Sequence, residues 1–275
     1  MFLVVRHPVL TYAVRGVERL TGRERLAKFA RLVTNEVRLD CANDMSSNGE
    51  SLIQRTALSV ESPMVLDVGA HFGEWSQSLL GQPGNIPTIH AFEPSAGTAA
   101  EARANLTDRA TVHQLGLSDY IGEATLQIVH AGAGSNSVVP FTDRSKRTGQ
   151  TELVRLSTVD AFAEANGIRH ITLLKIDAEG HDLAVIRGAR SMLQGHRIEL
   201  VQFEYNHRWI DSRVFLLDAF EELQASGYRV GKVTRRGVEI YEEWRSELET
   251  FREGNFLGYL PSWESRLPTL PWWDE

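Results

Sequence analysis

The chain has 275 residues, enough to bury a large core as one α/β domain with extensions. Its net charge of −7 argues against a general nucleic-acid binder, and its single cysteine, Cys41, excludes an internal disulfide and suits a reducing compartment. No run reaches the ~18 apolar residues that cross a bilayer, and the opening segment lacks the basic start of a signal peptide. We therefore expect a cytoplasmic protein without a membrane span.

The first 60 residues predict a helical extension ahead of the sheet. Apolar side chains recur there at helical spacing, at Leu26, Phe29, Ala30, Val33 and Val37. The segment is also locally basic, with Arg6, Arg15, Arg19, Arg23, Arg25, Lys28, Arg31 and Arg38 against Glu18, Glu24 and Glu36. We prefer a solvated helix face that complements the acidic remainder of the chain; the alternative is a surface for an anionic substrate or a membrane.

Residues 64–75, MVLDVGAHFGEW, predict a buried parallel strand, a glycine turn and a helix. Gly69 permits the tight turn, and Gly73 would let helix and ligand approach closely. The pattern D-x-G-x-x-x-G differs from the dinucleotide fingerprint, because Asp67 would repel a pyrophosphate and attract an ammonium or sulfonium group. S-adenosylmethionine carries both cations. The predicted contacts are Asp67, Gly69, Ala70, His71, Gly73 and Trp75.

Two further strands complete the predicted nucleoside site. The strand 88–92 ends at a carboxylate, Glu93, in the position where a ribose diol binds in such folds. The strand 112–115 leads to a segment expected beside the base. Ahead of the sheet, Glu50 is either ordinary first-turn charge or an acid that faces the ligand. The predicted contacts here are Glu93, Pro94, Ser95, Gly116, Leu117, Ser118 and Glu50.

The later chain adds an excursion and a second group of acids. Two strands, 124–129 and 153–156, are predicted to leave the main sheet and return. The apolar strands 171–176 and 198–203 then end at Asp177 and Glu204. Because parallel strands end at one edge of a sheet, Asp67, Glu93, Ser118, Asp177 and Glu204 are expected along the same rim. The Trp-rich tail is expected to pack on the surface, at a subunit contact of a homodimer.

Taken together, these motifs resemble FkbM-type S-adenosylmethionine-dependent methyltransferases. The resemblance runs from about Asn48 to Leu260 and rests on VLDVGAHFGEWS, IHAFEPS, LGLSD, LLKIDAEGHDLAVIRGA, VQFEYN and NFLGYL. It implies the Rossmann-like class I methyltransferase fold, with helices on both faces of a seven-stranded sheet that has six parallel strands and one antiparallel strand. It also implies methyl transfer, usually to a hydroxyl of a sugar, polyketide or related metabolite. We divide the chain into an extension (1–60), the methyltransferase domain (61–262) and a tail (263–275).

The chemistry needs a positioned acceptor and a base. Methyl transfer from a sulfonium is an in-line displacement, and a hydroxyl is a poor nucleophile without a general base. The candidate catalytic residues close the two strands expected nearest the methyl group: Asp177, Glu179, His181, Glu204 and His207. Asp177 is also a candidate for the methionyl end of the donor. In a second route, Asp177, Glu204 and a third oxygen ligand would hold Mg²⁺, although no dense ligand spacing demands a metal.

Three other functions compete with O-methylation of a small-molecule or glycan acceptor. An N-methyltransferase of the same fold needs only a modest base. A nicotinamide-dependent oxidoreductase is disfavoured by Asp67 and by the missing G-x-G-x-x-G pattern. A non-catalytic module that binds S-adenosylmethionine is disfavoured by the rim carboxylates, which such a module need not keep.

Overall fold

The structure is a computed structural model that describes residues 8–40, 44–45, 47–130 and 132–272. Arg6 and Cys41 lie outside these ranges. Contacts divide the chain into two compact units, Met1–Cys41 and Ala42–Glu275. No helix within the described ranges is both long and apolar enough to cross a membrane.

The smaller unit contains helix α1, Pro8–Thr21, and helix α2, Arg23–Val37. Both confirm the predicted helical segment. The predicted apolar face of α2 is exposed, with Phe29 65% accessible. The predicted extension ran to residue 60, but helix α3, Glu50–Ala57, belongs to the larger unit. The reason is burial, because Ile53 and Ala57 pack completely into the core of that unit.

The larger unit is built on parallel strands with helices between them. Its strands are β1 Met64–Val68, β2 Thr88–Phe92, β3 Thr111–His113, β4 Gly116–Leu117, β5 Gly122–Ile128, β6 Gln150–Ser157, β7 Ile171–Ile176, β8 Ile198–Tyr205, β9 Arg229–Thr234, β10 Gly237–Tyr241, β11 Gly254–Tyr259 and β12 Thr269–Leu270. Its further helices are α4 Glu74–Leu80, α5 Ala96–Leu106, α6 Val159–Ala165, α7 Asp182–Arg187, α8 Arg190–Gln194, α9 Arg208–Ser212 and α10 Leu216–Ala225.

The main sheet has the order β12-β10-β9-β11-β8-β7-β1-β2-β3. Seven of its strands, from β3 to β9, form the expected class I sheet, in which β11 alone runs antiparallel to its neighbours β8 and β9. The expected total of seven strands is wrong, because β10 turns back against β9 and β12 pairs with β10. The sheet therefore has nine strands.

The C-terminal tail is part of this sheet and its core. Strand β12 pairs with β10, and the indole rings of Trp263 and Trp272 are almost completely buried. The expectation that the tail packs on the surface is wrong for these residues. Apolar area explains the difference, since burying an indole within the chain removes more of it from water than a surface position would.

The predicted excursion from the main sheet is confirmed as a separate three-stranded sheet of order β4-β6-β5. Strands β5 and β6 are antiparallel, and the short β4 runs parallel to β6. Gly116 and Leu117 therefore belong to this small sheet and not to the end of β3. Their position brings the small sheet close to the carboxyl end of β2, where a Cβ at Gly116 would lie 3.5 Å from Pro94 Cβ.

Candidate functional site

A cavity opens at the carboxyl ends of β1, β2 and β7, and the small sheet forms its other wall. This is the edge where ligands bind in open α/β sheets. Nine of the predicted site residues line the cavity: Gly69, His71, Glu93, Pro94, Gly116, Leu117, Asp177, Glu179 and His181.

The glycine turn after β1 joins three strand ends. The backbone N–H groups of Gly69 and Ala70 both donate to the carbonyl of Phe92, at 3.0 Å. Gly69 has φ +77°, and a Cβ there would lie 1.8 Å from the carbonyl oxygen of Asp177. Gly73 has a different role from the predicted one, since a Cβ there would meet the side chain of Leu106 in α5. It permits close packing of helices and does not line the cavity.

Glu93 lies at the cavity edge, at the end of β2. Its Oε2 accepts a hydrogen bond from the backbone N–H of His71 (3.2 Å), and its Oε1 accepts one from Ser95 (2.9 Å). Burial raises the pKa of the carboxyl to about 7. Two backbone donors fix its direction, and each oxygen keeps a lone pair for a ligand hydroxyl. The apolar side chains of Pro94 and Leu117 line the same cavity and suit the flat face of a base.

Asp67 does not face the cavity, contrary to the prediction that it contacts a cationic ligand. Its side chain is fully buried, accepts a hydrogen bond from Ser76 Oγ at 2.7 Å and lies 3.5 Å from Lys175 Nζ. The cationic partner of Asp67 is therefore Lys175 and not a ligand. Trp75 is also a core residue, and its ring centre lies 5.8 Å from the same Nζ. Ala70 packs in the core beside α5.

Three other predicted contacts support the site from outside the cavity wall. Glu50 is buried, and its Oε1 accepts from Asn255 Nδ2 at 2.7 Å. Ser95 lines a neighbouring surface cavity and reaches the site only through its N–H bond to Glu93. Ser118 Oγ lies 2.9 Å from His181 Nε2, so this serine orients a cavity residue.

Three carboxylates converge at the acidic end of the site. One oxygen from each of Asp177, Glu179 and Glu204 lies within 4.8 Å of the others. Burial and the charges of Asp177 and Asp182 raise the pKa of Glu179 to about 8. Burial and the same neighbouring acids raise the pKa of Glu204 well above its usual value. An all-oxygen donor set of this kind fits Mg²⁺, Mn²⁺ or Ca²⁺.

The structure does not bring His207 into the cavity. This residue is exposed at the start of α9, and its Nε2 lies 3.3 Å from Lys146 Nζ. Partial desolvation of the ring and the charges of Lys146 and Arg208 lower its pKa. Glu204 belongs to the carboxylate cluster but does not line the cavity itself, because Asn206 Nδ2 covers its Oε2 at 2.5 Å.

Two polar residues that the sequence did not single out hold the acidic end of the site. Arg208 is almost completely buried, pairs with Asp211 and stacks 4.0 Å from the ring centre of Phe141. Ser137 lines the cavity, and its Oγ donates to the carbonyl of Glu179 at 2.8 Å. A small signal existed for Ser137, because it lies in a Gly/Ser/Asn-rich loop. Nothing in the sequence distinguished Arg208 from a surface arginine.

Comparison with solved structures found several methyltransferases. The methyltransferase FkbM from Methylobacillus flagellatus KT has 19% identity and a TM-score of 0.48, covering 74% of this chain and 45% of that one. A putative rRNA-methylase from Clostridium thermocellum has 9% identity and a TM-score of 0.42, covering 77% and 97%. Aeropyrum pernix fibrillarin, in complex with natively bound S-adenosyl-L-methionine, has 12% identity and a TM-score of 0.39, covering 74% and 68%.

This chain therefore spans less than half the length of the Methylobacillus protein. No curated protein matches it. Residues 67–230 match the family described as the methyltransferase FkbM domain. That match covers more than half of the chain, from the buried acid of β1 to the second residue of β9, and includes both Glu93 and the three carboxylates of the acidic end. The protein belongs to the FkbM methyltransferase domain family.

Proposed function

We propose that this protein is an S-adenosylmethionine-dependent O-methyltransferase that acts on a hydroxyl of a sugar, glycan or secondary metabolite. One observation carries the proposal: a single cavity has a nucleoside-type end at Glu93 and an acidic end at Asp177 and Glu179. Membership of the FkbM domain family supports it. The larger unit holds all of these residues, and we assign catalysis to it.

The donor would bind along the cavity, with its nucleoside at the Glu93 end and its cationic groups at the acidic end. Glu93 would accept hydrogen bonds from the ribose hydroxyls, while Pro94 and Leu117 would pack on the adenine. Asp177, which lines the cavity, would attract the ammonium and sulfonium groups, whereas the fully buried Asp67 cannot reach them.

Glu179 is the base that the geometry favours. It lines the cavity, and its pKa of about 8 makes it a stronger proton acceptor than an ordinary carboxylate. In the reaction, the acceptor oxygen forms a bond to the methyl carbon as the carbon–sulfur bond breaks. The hydroxyl proton passes to Glu179, and S-adenosylhomocysteine leaves with a neutral sulfur. His181, held by Ser118, is the second candidate.

A divalent cation is a second route to the same reaction. Asp177, Glu179 and Glu204 would hold it, and the cation would polarise the acceptor hydroxyl as a Lewis acid. In that route Glu179 would be a ligand, and His181 would be the proton acceptor that remains at the cavity wall.

The donor is tested first, by isothermal titration with S-adenosylmethionine, S-adenosylhomocysteine and NAD⁺. We expect micromolar binding of both sulfur ligands and none of NAD⁺. Glu93→Gln should weaken that binding about tenfold or more, because a charge-assisted pair of ribose hydrogen bonds is lost. The control Glu123→Gln, on the exposed face of β5, should change nothing. Binding of NAD⁺ alone would exclude the methyltransferase and support the oxidoreductase.

The acceptor and the base are tested by release of S-adenosylhomocysteine with panels of polyhydroxylated metabolites, amines and RNA. Glu179→Gln should lower kcat by about 10²- to 10⁴-fold and leave donor binding intact. The wild-type kcat/KM should rise with pH up to about 8, because protonated Glu179 cannot accept a proton. Turnover of amines or RNA alone would replace the proposed acceptor class, and loss of activity with a chelator would favour the metal route.

A further inference from the structure

The smaller unit has large apolar side chains that its own two helices leave exposed. Helix α2 contains no buried residue, and the described side chains of α1 are also exposed or half-exposed. Leu20 is 87% accessible and Tyr12 74%. The exposed large apolar side chains of the two helices are Tyr12, Val14, Val17, Leu20, Phe29, Leu32, Val33 and Val37. Exposed apolar side chains that recur along two helices in this way indicate an interaction site.

The smaller unit and the rest of the chain carry net charges of opposite sign. Residues 1–41 contain eight Lys or Arg and four Asp or Glu, which gives a net charge of +4. The remaining residues contain 21 Lys or Arg and 32 Asp or Glu, a net charge of −11. The positive charge lies on the polar sides of the same helices that carry the apolar stripes, for example at Arg15, Arg19 and Arg31.

We propose that α1 and α2 dock the protein on the surface of an anionic lipid bilayer. An amphipathic helix with Lys and Arg on its polar face and large apolar residues on the other lies in the membrane interface, with its apolar face among the acyl chains. Basic side chains then meet the lipid phosphates. Self-association through the same helices is disfavoured, because it would bring two units of charge +4 together. The proposal is independent of the methyl donor and of the acceptor.

The test is sedimentation of the 275-residue chain with vesicles of phosphatidylcholine alone or mixed in equal parts with phosphatidylglycerol. We expect the protein to sediment with the mixed vesicles and to remain in solution with phosphatidylcholine. Raising the salt from 0.1 M to 1 M shortens the Debye length from about 10 Å to about 3 Å and should release it. The double variant Leu20→Ser/Phe29→Ser should bind at least about tenfold more weakly. Arg19→Gln should lose about fivefold.

The matched control is Ile86→Ser, which removes an equally exposed apolar side chain from the larger unit and should bind vesicles like the wild type. Circular dichroism of the double variant must show the helix content of the wild type. Equal sedimentation with both vesicle types, or none, would overturn the proposal. So would a wild-type dimer in light scattering that the double variant converts to a monomer without any change in vesicle binding. Titration of the donor against every variant separates this result from the proposed function.

Discussion

At the scale of single residues, a buried lysine compensates the charge of two carboxylates beside the cavity. Lys175 lies on β7 with Asp67 at 3.5 Å and Asp177 at 3.3 Å. Burial alone would lower the pKa of Lys175, but the two carboxylates raise it above its ordinary value. The lysine therefore neutralises the fully buried Asp67 and holds Asp177 at the cavity.

Replacing Lys175 by methionine should destabilise the fold by about 3–5 kcal/mol, because Asp67 would then be an unpaired buried charge. Urea denaturation measures the loss. The exposed Lys146→Met should stay within about 0.5 kcal/mol of the wild type. The double variant Lys175→Met/Asp67→Asn should recover part of the stability. A double variant as unstable as the single one would show that the charge of Asp67 is not the cause.

A histidine pair should make stability fall in acid. His90 Nδ1 and His113 Nε2 lie 3.0 Å apart, and burial, the His90 charge and Arg103 lower the pKa of His113 to about 4. The folded state thus resists a proton that the unfolded chain takes up near pH 6.5. This contribution is present above pH 6.5 and is lost as the pH falls towards 4.

The buried acids have the opposite effect on how stability changes with pH. Glu93, Asp182 and Glu179 have raised pKa values, so the folded state takes up their protons first and gains stability as the pH falls. The histidine effect is therefore measured as a difference. The urea midpoint of His113→Gln should fall less between pH 7 and pH 5 than that of the wild type. An equal fall in both proteins would contradict the assignment.

At the scale of elements, the ends of β1 and β7 meet at the cavity through close backbone packing at Gly69. Strands β2 and β7 have the bounds that the sequence predicted, and β1 begins the predicted segment 64–75, since each strand is a short apolar run before a turn. Which ends touch was not predictable. The turn at Gly69 packs directly on the backbone of Asp177, and this contact joins residues more than 100 positions apart.

Gly69→Ala should therefore abolish donor binding and destabilise the protein, because the new methyl group would overlap a carbonyl at 1.8 Å and the residue has φ +77°. The control is Gly97→Ala in α5, where nothing lies within 4 Å of an added Cβ. That change should be neutral or stabilise by about 0.5–1 kcal/mol, since alanine favours a helix. Thermal unfolding and titration with the donor measure both variants. Donor binding by Gly69→Ala at wild-type strength would contradict the role assigned to Gly69.

At the scale of the whole molecule, the C-terminal segment completes the core of the larger unit. Strand β12 adds to the edge of the nine-stranded sheet, and Trp263 packs beside Val233 and Leu257 in the cluster that also buries α3. The segment is thus part of the methyltransferase fold of this chain. The predicted boundary at residue 263 has no counterpart in the contacts, which place residues 42–275 in one unit.

Trp263→Ala should lower the free energy of unfolding by about 3–5 kcal/mol, through lost burial and the cavity left behind. Tyr120→Ala, at a half-exposed ring, is the control and should cost much less. Urea denaturation followed by circular dichroism measures both. A loss below about 1 kcal/mol for Trp263 would show that the tail adds little to the core.

The sequence by itself predicted the parallel strands of the methyltransferase domain and the edge of the sheet at which they end. Apolar runs before Gly69, Glu93 and Asp177 predicted the strands, and their order along the chain predicted one rim, because parallel strands end together. These signals are local, so they can be read from neighbouring residues.

Only the tertiary structure decided which acids face the cavity. Asp67 and Glu93 look alike in sequence, yet Asp67 lies within its strand beside Lys175, whereas Glu93 follows its strand and faces the cavity. The same holds for His181 and His207, one lining the cavity and one exposed. Burial and the charge of a partner distant in sequence set these roles, and both arise only when the sheet assembles.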